Sequence, residues 1–201
     1  DAKKMDNLGF GKHQNIITNM MMERLAAPNG PTQGQITRPS DGKAPASIAF
    51  VQCAGSRDEN YLPYCSYICC MASLKQATYI RAQYPEAKIY IFYIDLRAPG
   101  HRYEKFYENI KKDPNVFFIK GKVAEVSEDK ATGNITVVAE NAVTGEKIQQ
   151  AVEMAVLDLD ARAVRDAAVV ERLVEALVRV RQVHVLADHR DPHGALGVPH
   201  R

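Results

Sequence analysis

The stretch S47-I-A-F-V-Q-C-A-G-S-R-D-E-N-Y-L-P-Y-C-S-Y-I-C-C-M-A-S-L-K-Q-A-T-Y-I-R-A-Q83, followed by K88-I-Y-I-F-Y-I94, decides the fold. Residues 47–52 form a short apolar run, consistent with a buried strand. Residues 64–83 read as a helix, with Ile68, Ala72, Lys75, Gln76 and Tyr79 at turn-like intervals. Residues 88–94 are dense in β-branched and aromatic side chains, the composition of a second strand. Strand, loop, helix and strand in this order make a βαβ unit, which implies a parallel sheet.

The same stretch holds every cysteine of the chain: Cys53, Cys65, Cys69 and Cys70. Cys53 is expected to end the first strand. The loop 54–64 crosses its carboxyl end, and the other three fall on the opening turns of the helix. Positions 65 and 69 would then share a helical face, while position 70 points roughly a hundred degrees away. Gathering all four requires local bending or a group larger than one ion. An iron–sulfur cube has separated corners and accepts such a spread, whereas tetrahedral zinc commonly draws on two C-x-x-C hooks. The pattern therefore favours a [4Fe–4S] cluster over zinc. Two other readings stand beside it. Free cysteines can be small buried hydrophobes, and a dithiol could be redox-active, although vicinal Cys69-Cys70 is poorly shaped for a disulfide.

In a dinucleotide-binding βαβ unit this first loop carries G-x-G-x-x-G and holds a pyrophosphate at the helix N-terminus. No such fingerprint occurs here. The loop that would cradle a nucleotide carries thiols instead. The Gly55 and Ser56 amides, with Arg57, are candidates to donate to cluster sulfides and tune their potential; a loop salt bridge between Arg57 and Asp58 is the plainer alternative. Asp95, after the second strand, sits where an acid would hold a ribose hydroxyl, but without the glycines it reads as a loop residue or cap.

Outward from this unit, residues 103–112 read as an amphipathic helix and residues 116–119 as a strand. Residues 122–127, 134–140 and 147–157 read as the strands of a β-meander, with turns at D129-K-A-T-G133 and N141-A-V-T-G145. Residues 1–46 are rich in turn formers, with one short helical candidate, N19-M-M-M-E-R-L-A26, and read as a loop-rich crossing from a domain outside the chain. Residues 158–201 differ sharply. Every lysine and aromatic residue lies before Asp158, while His184, His189, His193 and His200 lie after it. Residues 161–181 can form an amphipathic helix and the remainder reads as an unstructured, solvated tail. This segment is an expected appended or aberrant piece. The domain expectation is thus 1–46, 47–157 and 158–201.

Bulk properties narrow the function classes. The 201 residues carry a net charge of +2, with 46% hydrophobic and 25% charged content, as in an ordinary globular protein. Basic and acidic residues are interleaved, which gives no case for nucleic acid. No apolar run reaches a membrane span. Clustered cysteines without an export signal favour a reducing, cytoplasmic setting. A first residue other than Met suggests an internal piece of something longer. No Ser-His-Asp set, paired carboxylates or phosphate loop stands out. Met20, Met21 and Met22 read as a helix face, and Tyr61, Tyr64 and Tyr67 as shielding for the cysteines or as core.

The run Q52-C-A-G-S-R-D-E-N-Y-L-P-Y-C-S-Y-I-C-C-M-A-S-L-K-Q-A77 resembles the A subunit of heterodisulfide reductase. It is also similar to a relative of that protein in sulfate reducers, the A subunit of the quinone-interacting membrane-bound oxidoreductase. Further matching stretches are G9-F-G11, N15-I-I-T-N19, G30-P-T32, R38-P-S-D-G-K43, Y93-I-D-L-R97, Y103-E-K-F-Y107 and I119-K-G-K-V-A-E-V126. The resemblance implies a thioredoxin-reductase-like flavoprotein with FAD and a [4Fe–4S] cluster on Cys53, Cys65, Cys69 and Cys70. It implies electron transfer inside a multi-subunit complex at the cytoplasmic face of a membrane. The quinone-linked branch implies adenylylsulfate reductase as a partner; the heterodisulfide reductase branch and a structural zinc module are the alternatives. The family's Gly-rich FAD fingerprint is absent, and D158-L-D-A-R162 stands where a small Ala-Thr-Gly turn is usual. The main FAD-binding elements are therefore expected outside this chain.

Overall fold

The computed structural model describes residues 5–159, so the His-rich segment and the helix expected at 161–181 lie outside the described residues. A 3₁₀ turn at Asp6–Leu8 leads to β1 (Ile16–Thr18) and α1 (Asn19–Ala26). The βαβ unit follows as β2 (Ser47–Ala54), α2 (Cys69–Gln83) and β3 (Lys88–Tyr93). Next come α3 (His101–Lys111), β4 (Val116–Lys120), β5 (Val123–Glu128), β6 (Ile135–Glu140), β7 (Lys147–Val152) and β8 (Met154–Leu159). The fold is mixed α/β.

The main sheet has the order β1-β8-β2-β3-β4, with every neighbouring pair parallel. Strands β5, β6 and β7 form a separate antiparallel sheet. Alternation along β2 explains the layering. Ile48 and Phe50 face Leu74, Ala77 and Ile80 of α2, while Ala49 and Val51 face Val126, Val137 and Val152 of the antiparallel sheet. The parallel sheet is thus sandwiched between helices and the meander, as its almost unbroken apolar strands require.

Two expectations are corrected here. Residues 147–157 do not form one meander strand: the chain turns at Glu153, and β8 crosses back to pair with β1 and β2. Met154–Leu157 is continuous apolar sequence, fit for burial on both faces. Helix α2 begins at Cys69 rather than Tyr64. Tyr67 takes φ 64°, a left-handed conformation that cannot continue a helix, so Cys65 lies outside it.

Both ends of the described segment also enter the fold. In α1, Thr18 Oγ1 accepts from the Met21 amide, and Met21, Met22 and Leu25 are buried, while Met20 is exposed. Residues 5–46 therefore supply an edge strand and a packed helix to the same core. At the other end, Asp158 and Leu159 complete β8 and are buried. The described core runs past the expected boundary at 157.

Candidate metal centre

Strands β2 and β8 are parallel neighbours in the sheet, so their carboxyl ends lie side by side. Open parallel α/β sheets bind ligands outside the carboxyl ends of their strands. Cys53 is at the end of β2, and Asp158 and Leu159 are at the end of β8, with Ala54 in register with Leu159. Strand β3 runs on to Ile94, Asp95 and Leu96 at the same edge.

Strict alternation would turn Cys53 away from α2. The register shifts between Val51 and Ala54, however, and Cys53 takes φ 56°. Left-handed backbone in a non-glycine residue costs about 1–2 kcal/mol. This bulge re-aims the thiol, and Cys53 packs with Cys69 and Cys70 under Ile94 and Leu96. All three are nearly fully buried. Cys65 is half-buried at the rim, where its sulfur accepts from the Tyr67 amide at 3.4 Å.

The thiols act on one another. The neighbouring Cys53 and Cys70 thiols hold the Cys69 thiol far below its usual range. The same contacts, with burial, push Cys53 and Cys70 up. Cys65 is near enough to raise both electrostatically. The N-terminus of α2 has no side-chain cap, and the helix opens with Cys69 and Cys70. Among the described residues, no group of three or more His, Cys, Asp or Glu side chains is arranged about a single ion.

The loop after Cys53 is folded on itself. Leu62 N donates to Gly55 O (3.1 Å), Asp58 N to Leu62 O (3.0 Å) and Arg57 N to Tyr64 O (3.1 Å). Gly55 has φ 67°, a left-handed conformation that glycine adopts without strain. The Ser56 amide donates to Cys53 O at 3.1 Å, and its buried hydroxyl has no hydrogen-bond partner. The expected Arg57–Asp58 pair is replaced by two longer-range ones. Arg57 Nη1 contacts Asp95 Oδ2 at 2.7 Å, and Lys122 Nζ contacts Asp58 Oδ2 at 2.7 Å. Asp95 is thus an anchor for the cysteine loop. Tyr67 is exposed, with the Arg97 guanidinium 5.2 Å above its ring, so it is not core.

Residues that sequence reasoning missed lie beneath the thiols. Cys70 Sγ donates to Gln52 Oε1 at 3.3 Å, and Gln52 Nε2 donates to Ser73 Oγ at 2.7 Å. Gln52 follows Ile48 and Phe50 on the α2 face; a polar residue in phase with a buried apolar stripe was the available signal. Asp158 is fully buried, and neither carboxylate oxygen has a hydrogen-bond partner. The group is chemically coherent: four thiols, three of them buried, with an orphan Ser56 hydroxyl beside them. These residues fit an iron–sulfur cluster.

Fold and site together define a Rossmann-type half-domain that carries thiols in place of its nucleotide loop. The chain is homologous over this stretch to the A subunits of heterodisulfide reductase and spans about a quarter of their length. It is 44% identical over 160 residues to an iron-sulfur A subunit of the CoB–CoM heterodisulfide reductase of Methanopyrus kandleri, covering 79% of this chain and 24% of that protein. It is 42% identical over 168 residues to the A subunit of the H2/formate:CoB-CoM heterodisulfide,ferredoxin reductase of Methanococcus maripaludis, covering 83% and 26%. A thioredoxin reductase from Lactococcus lactis aligns with TM-score 0.38 and 18% identity over 56% of this chain and 31% of that one. No family model matches.

Proposed function

We propose that Cys53, Cys65, Cys69 and Cys70 hold a [4Fe–4S] cluster and that the chain conducts electrons within a heterodisulfide-reductase-type oxidoreductase. The observation that carries this reading is the set of three buried thiols, with a half-buried fourth nearby, at the carboxyl end of a parallel-sheet strand. When bound, such a cluster takes up and releases one electron at a time. Cys69 and Cys70 would hold it against the helix amides, Cys53 would close it from the strand, and Cys65 would face outward. Ile94 and Leu96 would keep water away, which influences potential. Gly55, Ser56 and Arg57 are the proposed polar surroundings, with the Ser56 hydroxyl the donor that lacks another partner.

The name of the Methanopyrus relative, an iron-sulfur protein, supports the cluster. The rival is a structural zinc module without redox activity, and iron, sulfide and zinc analysis of the purified protein separates the two. FAD is proposed for the parent protein, handling electron pairs, with its main binding elements outside this chain. Partners are proposed to be the other components of a redox complex at the cytoplasmic face of a membrane. No helix among the described residues is long and apolar enough to cross one.

The finer proposal is a link between the quinone pool and adenylylsulfate reductase in sulfate reduction, carried by L62-P-Y-C-S-Y-I-C-C-M-A-S-L-K-Q-A-T78 and I91-F-Y-I-D-L-R97. The curated relatives favour the heterodisulfide reductase alternative. Adenylylsulfate reductase genes beside the encoding gene would support the former; genes for the remaining heterodisulfide reductase components would support the latter. The ligand set is tested by Cys65→Ser and Cys70→Ser in anaerobically purified protein. Both are expected to lose most of their iron, and full iron content in either overturns the assignment.

A further inference from the structure

Gln52 brings a buried side-chain amide, held in place by two neighbours, against the cysteine group. It is 3% exposed and sits on β2 immediately before the left-handed Cys53. Its carbonyl accepts from the Cys70 thiol at 3.3 Å, and its NH2 donates to Ser73 Oγ at 2.7 Å. Ser73 in turn donates to Cys69 O at 2.8 Å, with Cys70 O at 3.3 Å. The chain of donors runs in one direction: sulfur to Gln52 on one side, Gln52 through Ser73 to the helix on the other.

Ligation breaks this polarity. When Cys70 binds iron, its sulfur exchanges the proton for an S–Fe bond and the proton leaves to solvent. A metal-bound sulfur has nothing to donate, and an amide oxygen at 3.3 Å then faces electron density with no hydrogen between. The Asp95 carbonyl, 3.6 Å from the same sulfur, is backbone and cannot invert. The Arg97 amide already faces Cys70 as a donor. Gln52 alone among these groups can exchange acceptor for donor by turning its amide over. Ser73 can follow, because the Cys69 carbonyl keeps its helical N–H partner when the hydroxyl turns away. Its hydroxyl then donates to the inverted Gln52 carbonyl. The Gln52 carbonyl and the Ser73 hydroxyl keep a partner in both states, as a desolvated pair demands.

We propose that Gln52 is a positioning and tuning residue for the cluster: its amide turns on ligation and donates N–H to the Cys70 thiolate. A hydrogen bond to a cluster sulfur stabilises the reduced, more negative state and raises the potential. This inference rests on the cluster reading above, and Gln52→Glu and Gln52→Leu separate the two. Glutamate keeps the shape but not the NH2, and leucine removes both polar atoms.

The full chain is purified anaerobically, assayed for iron and sulfide, and titrated by EPR. A second measurement uses wild-type protein with ¹⁵N in the glutamine side chains and pulsed EPR of the reduced cluster. The expected result is wild-type iron content in both variants with a more negative midpoint. A tenfold loss in the reduction equilibrium corresponds to about 59 mV for one electron. Wild type is expected to show a side-chain nitrogen coupling that Gln52→Leu abolishes. Full loading with an unshifted midpoint overturns the role of Gln52 and leaves the cluster standing. Absence of the nitrogen coupling in wild type overturns it even where the variants do not fold. Wild-type protein without iron or sulfide overturns the cluster reading itself.

Discussion

Arg57 Nη1 lies 2.7 Å from Asp95 Oδ2, joining the cysteine loop to the segment after β3. Both partners are solvent-accessible, and the guanidinium holds the Asp95 carboxyl below its usual range. Pairs of this kind add little to global stability, so their effect is local. Lys122–Asp58 ties the same loop to the chain just before β5. Asp95→Asn combined with Lys122→Gln is therefore expected to speed amide exchange across residues 55–67 while leaving the unfolding midpoint nearly unchanged. Hydrogen–deuterium exchange read by mass spectrometry checks this; unaltered exchange in the loop would show that the backbone bonds alone hold it.

The left-handed backbone at Cys53 makes a second prediction. Cys53→Gly and Cys53→Ala both remove the thiol, but only glycine accepts φ 56° without strain. In the metal-free chain, the glycine variant is expected to be more stable than the alanine variant by about 1 kcal/mol. Urea denaturation of the pair measures the difference. Equal midpoints would mean the conformation costs nothing.

Asp158 supplies a pH dependence. Burial, and then the negative charge at Cys69, raise its carboxyl well above 3.8. The Ser73 hydroxyl proton is committed to the Cys69 carbonyl and gives little relief. A carboxyl with a raised folded pKa contributes no penalty below the unfolded value. Above it, each pH unit up to the folded value costs about 1.4 kcal/mol. Asp158→Asn is therefore expected to stabilise the metal-free chain at pH 7, with the gain shrinking toward zero as pH falls to 3.8. Thermal unfolding across this range is the check, and a gain independent of pH would contradict it.

Leu74 is fully buried between α2 and the sheet, one turn beyond Cys70. Leu74→Ala is expected to cost about 2–5 kcal/mol of stability. Its side chain packs in the core beneath α2 and not in the thiol cluster, so iron content at low temperature is expected to match the parent. Loss of iron together with stability would tie cluster retention to core packing.

Much of the framework is legible in the sequence because it rests on local pattern. Asn19–Ala26 is readable from its composition, and the strand at Lys88 from its β-branched and aromatic run. What escapes depends on distant partners or on unusual backbone. The apolar run Met154–Leu157 signals a strand buried on both faces, but not which sheet it joins, since its partners Ile16–Thr18 and Ile48–Val51 lie far back in the chain. The start of α2 is hidden because a tyrosine at 67 gives no hint of positive φ, as a glycine would have. The cysteines themselves are legible as a cluster by count and spacing. Their arrangement is not, because it turns on left-handed Cys53 and on the Gln52–Ser73 bridge.

The central claim is that these four thiols hold an iron–sulfur cluster, and Mössbauer spectroscopy of ⁵⁷Fe-enriched, anaerobically purified protein tests it most directly. The predicted result is iron and inorganic sulfide in equal amounts, matched to one [4Fe–4S] cluster per chain, with a quadrupole doublet that changes on one-electron reduction. Stoichiometric zinc, no inorganic sulfide and no reducible signal would contradict it.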